Sequence, residues 1–360
     1  MRRRYLWLAV ALAVLIVSAT GYVLGGANLY AQYQTSLAGY TSSCGTLISW
    51  NPPQRLFTGL YVNQPSLVTV HYRSQTRQTL RITVSVPQFT QEQHVQVTAT
   101  QTFQQYAFKP PVLGAAALDA LVAPGQRAAE VHLRVQSLSA VLCDTSVPIT
   151  LMSRQMMRWF DPATGDNSAY LAGWVTPNAP AIRDLVGRAA ARLAASPATY
   201  PDATEMHGYD AGRAESNDVR DQVNALFDTM QFDYHVRYAS DNVPYNKDAT
   251  QRIQLPADVL AQSAPTAMCV ETTAILASAV ERLGMRPYIV IVPGHAFLGV
   301  ALSASGAPIE YWETSDLNGS TSSQAHADGQ SEAHSYQQRN LILRVIDIQT
   351  ERARNILPIE

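Results

Sequence analysis

The chain has 360 residues, of which 47% are hydrophobic and 15% are charged, and its formal net charge is -2. This length suits two ordinary domains, and the lack of a basic surplus argues against nucleic-acid binding. The sequence contains neither a Walker phosphate loop nor a GxGxxG pattern, so we do not expect nucleotide-dependent chemistry.

Three arginines follow the initial methionine, and an apolar run covers residues 5–24. This order predicts export with the basic end left in the cytoplasm, and the run is long enough to cross a bilayer as a helix. We therefore predict a signal anchor or transmembrane helix over residues 1–27, which makes a single-pass cell-membrane protein with extracytoplasmic C-terminal domains. Cleavage near residues 17–19 or 25–27 would instead release a secreted protein.

The composition changes twice after the apolar run. Residues 28–49 are small and polar, which is typical of a stalk. Residues 50–155 contain short alternating runs, such as 79–86, separated by proline and glycine. This spacing predicts an all-β sandwich, of an immunoglobulin-like kind, that acts as a spacer or binding module.

The chain has three cysteines, Cys44, Cys143 and Cys269. In an oxidising compartment an odd number favours one pair and one free thiol. We predict a disulfide between Cys44 and Cys143, which both lie in the N-terminal region, and a free Cys269. The alternative is three reduced, buried cysteines.

Residues 156–360 are predicted to form an α+β domain with its core at 217–317. Apolar residues recur at helical spacing over 181–195 and 217–230, which predicts two amphipathic helices. The polar stretch with His326, Asp328, Glu332 and His334 is interpreted as a solvated loop, and metal binding is the alternative, although the spacing fits no helical or zinc-ribbon site.

Cys269 begins an apolar helix that Gly284 ends, since Thr273, Leu276 and Val280 repeat on one face together with the cysteine. The free N–H groups and positive dipole end of a helix N-terminus favour a thiolate and can also hold an oxyanion. The alternative interpretation is an ordinary small core cysteine.

The next segments supply an imidazole and a carboxylate. His295 opens a strand after Pro293–Gly294, and Glu313 lies on the strand that returns beside it. Because side chains in strands alternate, Glu313 shares a sheet face with His295, opposite it or diagonal to it according to the hairpin register. Asp316, in the loop that follows, is the alternative acid.

Several stretches together resemble the transglutaminase-like superfamily, which has the papain-like cysteine protease fold, and in particular membrane-anchored bacterial members. The matching stretches are residues 252–260, the helix that starts at Cys269 and ends in Arg282-Leu283-Gly284, Val292–Phe297, and Trp312-Glu313-Thr314.

The resemblance implies that Cys269 is the nucleophile, His295 the general base and acid, and Glu313 the acid that orients the ring. It implies peptide hydrolysis, deamidation or acyl transfer on the amide carbonyl of a protein or peptide, through a thioacyl intermediate, with no metal or cofactor. The candidates for an upstream oxyanion donor are Gln254, Gln251 and Tyr238.

Two positions depart from the family pattern, since Ala267 replaces a common glycine and Glu313 replaces the usual aspartate. They leave open an inactive member of the fold that serves as a cell-surface binding or scaffold module. The substrate and the oligomeric state are not determined by the sequence.

Overall fold

The computed structural model describes residues 44, 47–114, 125–161, 165–209, 216–240, 244–245 and 249–359. Its first part consists of short strands, as the alternating apolar runs require. These strands are β1 (Ile48–Trp50), β2 (Arg55–Phe57), β3 (Val68–Tyr72), β4 (Gln78–Ser85), β5 (Gln93–Ala99), β6 (Gln104–Phe108), β7 (Gln126–Gln136) and β8 (Val141–Met152), with a single-turn helix, α1 (Thr58–Tyr61), after β2.

The strands form a three-stranded sheet, in the order β1-β3-β6, and a five-stranded sheet, in the order β2-β8-β7-β4-β5. Their inward side chains alternate with outward ones, and Leu80, Ile82 and Val84 of β4 are almost completely buried. Residues of both sheets pack into one apolar core around Trp50 and Phe108. The predicted stalk, residues 28–49, ends inside this fold, because Ile48 and Ser49 belong to β1; most of it lies outside the described residues.

A disulfide joins Cys44 to Cys143, with 5.5 Å between the Cα atoms, while Cys269 is free. This is the pairing that the sequence predicts. The bond links the residue just before β1 to β8, 99 positions away along the chain.

Replacing both Cys44 and Cys143 with serine is expected to lower the free energy of unfolding by about 2–5 kcal/mol, because the crosslink restricts a long loop of the unfolded chain. Urea denaturation of the wild type and the double variant measures the difference. The reduced wild type should unfold at the same urea concentration as the variant. Equal midpoints for oxidised wild type and variant would contradict the prediction.

The second part mixes helices and strands. Its strands are β9 (Met156–Arg158), β10 (Phe160–Asp161), β11 (Gly165–Asp166), β12 (Arg237–Tyr238), β13 (Thr250–Arg252), β14 (Thr266–Ala267), β15 (Pro287–Val292), β16 (His295–Ala301), β17 (Ile309–Trp312) and β18 (Arg344–Asp347). Its α-helices are α2 (Pro180–Ala195), α3 (Ser216–Phe232), α4 (Pro256–Leu260), α5 (Cys269–Arg282), α6 (Ser322–Gln338) and α7 (Ile348–Ala353). Two 3-10 helices cover Ser168–Trp174 and Asp316–Asn318.

Four of these strands form an antiparallel sheet in the order β17-β16-β15-β18. All six residues of β15 are buried. On one face of the sheet, α5 packs against β15 and β16 and forms part of a second apolar core. On the other side of the hairpin, α6 packs against β17. The ends of α5, β16 and β17 therefore meet at one edge of the sheet.

The predicted fold class needs a correction. It began with an N-terminal transmembrane helix, but no helix of the described residues is long and apolar enough to cross a membrane. The longest, α3 and α6, have 17 residues each and carry many polar side chains, whereas a spanning helix needs about 20 mainly apolar residues. The described chain is a fold of mixed sheets and helices, and residues 1–27, where the anchor was predicted, lie outside it.

Candidate active site

Cys269 is the first residue of α5. The preceding residue, Met268, has an extended backbone (φ -85°, ψ 170°), so the helix begins sharply at the cysteine. Every residue of α5 from Cys269 to Val280 is buried, and Cys269 itself has no exposed surface. The sequence pattern correctly placed this thiol at the N-terminal edge of the buried face.

His295 is the first residue of β16 and follows Gly294, whose positive φ of 75° makes the turn out of β15. Nε2 of His295 lies 2.8 Å from Oε2 of Glu313. Glu313 follows the last residue of β17, and its other oxygen, Oε1, accepts a hydrogen bond from the backbone N–H of Ser315. Because Nε2 is engaged by Glu313, Nδ1 is the ring nitrogen that remains for a second partner.

The structure thus brings Cys269, His295 and Glu313 together. Burial of the imidazole lowers the pKa of His295, but hydrogen bonds with Cys269 and Glu313, and the charge of Glu313, outweigh this and raise the pKa to about 10. Burial also raises the pKa of Glu313, yet its hydrogen bonds with His295 and Glu332 hold that pKa below its ordinary value. The pair therefore favours an imidazolium beside a carboxylate.

Two buried threonines fix these elements to one another. The hydroxyl of Thr273 donates to the carbonyl oxygen of Cys269 at 2.7 Å and lies 2.8 Å from the hydroxyl of Thr314. Thr314 directly follows Glu313, and its hydroxyl lies 3.3 Å from the same carbonyl oxygen. The start of α5 is consequently tied to the end of the β16–β17 hairpin.

Gln251, one of the predicted oxyanion candidates, contacts the residue before the cysteine, since its amide nitrogen donates to Sδ of Met268 at 3.0 Å. Its amide oxygen accepts from the indole N–H of Trp159 at 3.2 Å. Tyr238 pairs with Ala267, two residues before Cys269, in the short β12–β14 ladder. Both residues therefore flank the approach to the helix start.

Gln254 is engaged elsewhere. Its amide oxygen accepts from Gln262 at 2.8 Å, and its amide nitrogen faces the carboxylate of Glu271. Glu271 itself is buried and accepts hydrogen bonds from the backbone N–H groups of Gln254 and Met268. Glu271 closes a capping box at the start of α5, which is a structural role.

A cleft of about 550 Å³ opens beside this helix start. Its wall mixes apolar and polar surface and includes Gln251, Arg252, Gln254, Met268 and Glu271. Met268 and Glu271 belong to the first turn of α5 and its cap, so the cleft ends next to the residue that carries the thiol.

Asp316, the alternative acid, lies in the 3-10 helix after β17. Burial, with repulsion from Glu313 and Asp328, raises the pKa of Asp316 to about 6. The carboxylate that bonds the ring is Glu313 and not Asp316.

Glu332 also lies at this site, although the sequence pattern did not place it there. The solvated loop predicted around His326 is wrong, because these residues form α6. The sequence does carry a signal for the start of that helix, because Thr321 and Gln324 have the capping-box spacing. In the structure, the Thr321 hydroxyl accepts a hydrogen bond from the Gln324 N–H at 3.2 Å. Its buried face consists of small residues, Ser322, Ala325, Gly329 and Ala333, which a search for large apolar side chains overlooks.

Oε2 of Glu332 lies 3.9 Å from Nε2 of His295. One nitrogen of His295 and one carboxyl oxygen each of Glu313 and Glu332 lie within 4.8 Å of one another. This spacing would suit a metal ion as well as a hydrogen-bonded cluster. The 2.8 Å bond between His295 and Glu313 fits the hydrogen-bonded cluster.

No protein-family model matches this sequence, and no curated protein matches it. The interpretation of the site therefore depends on its geometry and on the chemistry of its side chains.

Proposed function

We propose that this protein is an extracytoplasmic, cysteine-dependent enzyme that acts on amide bonds of proteins or peptides, as a peptidase, deamidase or acyl transferase. The observation that carries the proposal is the set of contacts that links Cys269 to His295 and His295 to Glu313. The resemblance of the surrounding stretches to transglutaminase-like enzymes supports the same assignment. The disulfide supports an oxidising compartment, because such bonds are rare in the cytosol.

In the proposed mechanism, the proton of the Cys269 thiol resides on His295 before the attack, as the raised pKa of the ring favours, and Sγ then attacks the carbonyl carbon of the amide. The C–N bond then breaks, and His295 returns the proton to the departing amine or ammonia. Water or a second amine attacks the thioacyl carbon and gives a proton to His295, which delivers it to the departing thiolate. Glu313 fixes the orientation of the ring throughout.

A second candidate function is favoured by one observation, the complete burial of Cys269. A thiol without exposed surface suits a non-catalytic member of the fold that binds other molecules at the cell surface. The enzyme hypothesis requires the substrate to displace the groups that cover the sulfur, entering from the cleft beside Met268 or past the partly exposed ring of His295.

Replacing Cys269 with alanine is expected to abolish product formation. The purified chain is incubated with a peptide mixture and a primary amine, and products and the intact protein mass are followed by mass spectrometry. The wild type should gain a transient acyl group on Cys269, and the variant should not. Unchanged turnover in the variant would overturn the enzyme proposal, and no adduct in the wild type would favour the binding module.

A further inference from the structure

The backbone of α6 approaches β17 unusually closely at Gly329. A Cβ atom added there would lie 2.7 Å from the backbone nitrogen of Glu313 and 2.7 Å from the backbone of Trp312. The N–H of Glu313 also donates to the carbonyl oxygen of Ala325 at 2.8 Å. Glu332, three positions after Gly329, is thereby brought over the carboxylate of Glu313.

Two carboxyl groups and an imidazole share this small space. One carboxyl oxygen of Glu332 lies within 4.8 Å of one of Glu313, which places the two carboxyl groups as hydrogen-bond partners, and Oε2 of Glu332 lies 3.9 Å from Nε2 of His295. Two carboxylates can form such a bond only when one of them carries a proton. Glu313 accepts from His295 and from the Ser315 N–H, so Glu332 is the member that keeps the proton.

We propose that Glu332 is a positioning residue of the site, whose neutral carboxyl group donates a hydrogen bond to Glu313 and holds that carboxylate on Nε2 of His295. The contact itself follows from the geometry, and its consequence for turnover rests on the proposed function.

The charges around Glu332 agree with this protonation state. Burial, together with the hydrogen bond and charge of Glu313, raises the pKa of Glu332 to about 8, although the charge of His295 acts in the opposite direction. Asp316 faces the cluster from the turn after β17 and adds to the rise. Asp328 interacts with Asp316, and Cys269 interacts with the ring of His295.

Three variants of the full chain test the inference. Glu332→Gln keeps a neutral hydrogen-bond donor, Glu332→Ala removes it, and Ser331→Ala is the control at an exposed neighbouring position of α6. The readout is NMR titration of ¹³C-labelled histidine in the presence of EDTA, which keeps stray metal ions from the cluster. The signal of His295 among the eight histidines is assigned with a His295→Gln variant.

In the wild type we expect the His295 signal to move as Glu332 loses its proton, near its raised pKa of about 8, before the ring itself titrates. In Glu332→Gln this early movement should vanish, and the ring should titrate at lower pH, because no second carboxylate forms beside Nε2. The control should match the wild type. An early movement that persists in Glu332→Gln would overturn the inference.

Turnover at neutral pH gives the second readout. Glu332→Ala should lose about 10- to 100-fold in kcat/KM, and Glu332→Gln should retain most of the wild-type value. Equal losses in both variants, or no loss in Glu332→Ala, would contradict a donor role. If the wild type shows no turnover, the proposed function fails while the titration still decides the role of Glu332.

Discussion

Replacing His295 with glutamine is expected to lower kcat/KM on an amide substrate by about 10²- to 10⁴-fold, the usual contribution of a general acid–base group. Glutamine can neither take the proton of Cys269 nor return it to the leaving amine. The measurement is the rate of amine or ammonia release at saturating and limiting substrate. We expect most of the loss in kcat, because the proton moves only during the chemical step.

A matched control for this variant is His334→Gln. His334 is an exposed histidine of α6 whose ring contacts the side chain of Gln338 and not the site. The control should keep wild-type turnover and the same urea midpoint. A His295→Gln protein that folds normally and keeps wild-type turnover would exclude the proposed mechanism.

Replacing Gly329 with alanine is expected to destabilise the protein by up to about 2 kcal/mol, although alanine is the better helix former. The intrinsic preference would stabilise α6 by about 1 kcal/mol. Against this, the new methyl group would meet backbone atoms of Trp312 and Glu313 at 2.7 Å, and such overpacking costs about 1–3 kcal/mol. The backbone cannot rotate away as a flexible side chain would, so α6 must shift. Urea denaturation measures the loss.

Gly187→Ala provides the opposite expectation in the same protein. Gly187 lies in the exposed face of α2, and nothing lies within 4 Å of an added Cβ. This substitution should stabilise the fold by up to about 1 kcal/mol. A Gly329→Ala variant that gains stability as Gly187→Ala does would mean that α6 does not depend on the close contact with β17.

Local pattern was sufficient for the elements that carry the site. The repeat of apolar residues after Cys269 predicted α5 and its start, and alternation placed His295 and Glu313 on one sheet face. The register of the hairpin stayed open between two choices, because it depends on the turn conformation. The structure pairs Leu298 with Trp312, and this register, continued past the end of β17, leaves Glu313 diagonal to His295.

What the sequence did not predict depends on contacts between distant segments. Glu332 reaches His295 only because α6 folds back over β17, and the small residues on the inner face of α6 give a weak periodic signal. The sequence also left open whether Glu313 or Asp316 bonds the ring of His295. The answer depends on where β17 ends, because Glu313 directly follows the strand whereas Asp316 lies in the next turn.

The hydroxyl of Thr273 has a wider consequence. It contacts the carbonyl oxygens of Cys269 and Ala296 and the hydroxyl of Thr314, so it touches the backbone or direct neighbour of each of the three proposed catalytic residues. The hydroxyl of this fully buried residue thus links the start of α5 to β16 and to the residue after Glu313. If the proposed function holds, we expect the backbones that carry Cys269, His295 and Glu313 to move together, so that adaptation to different substrates would fall to the walls of the cleft.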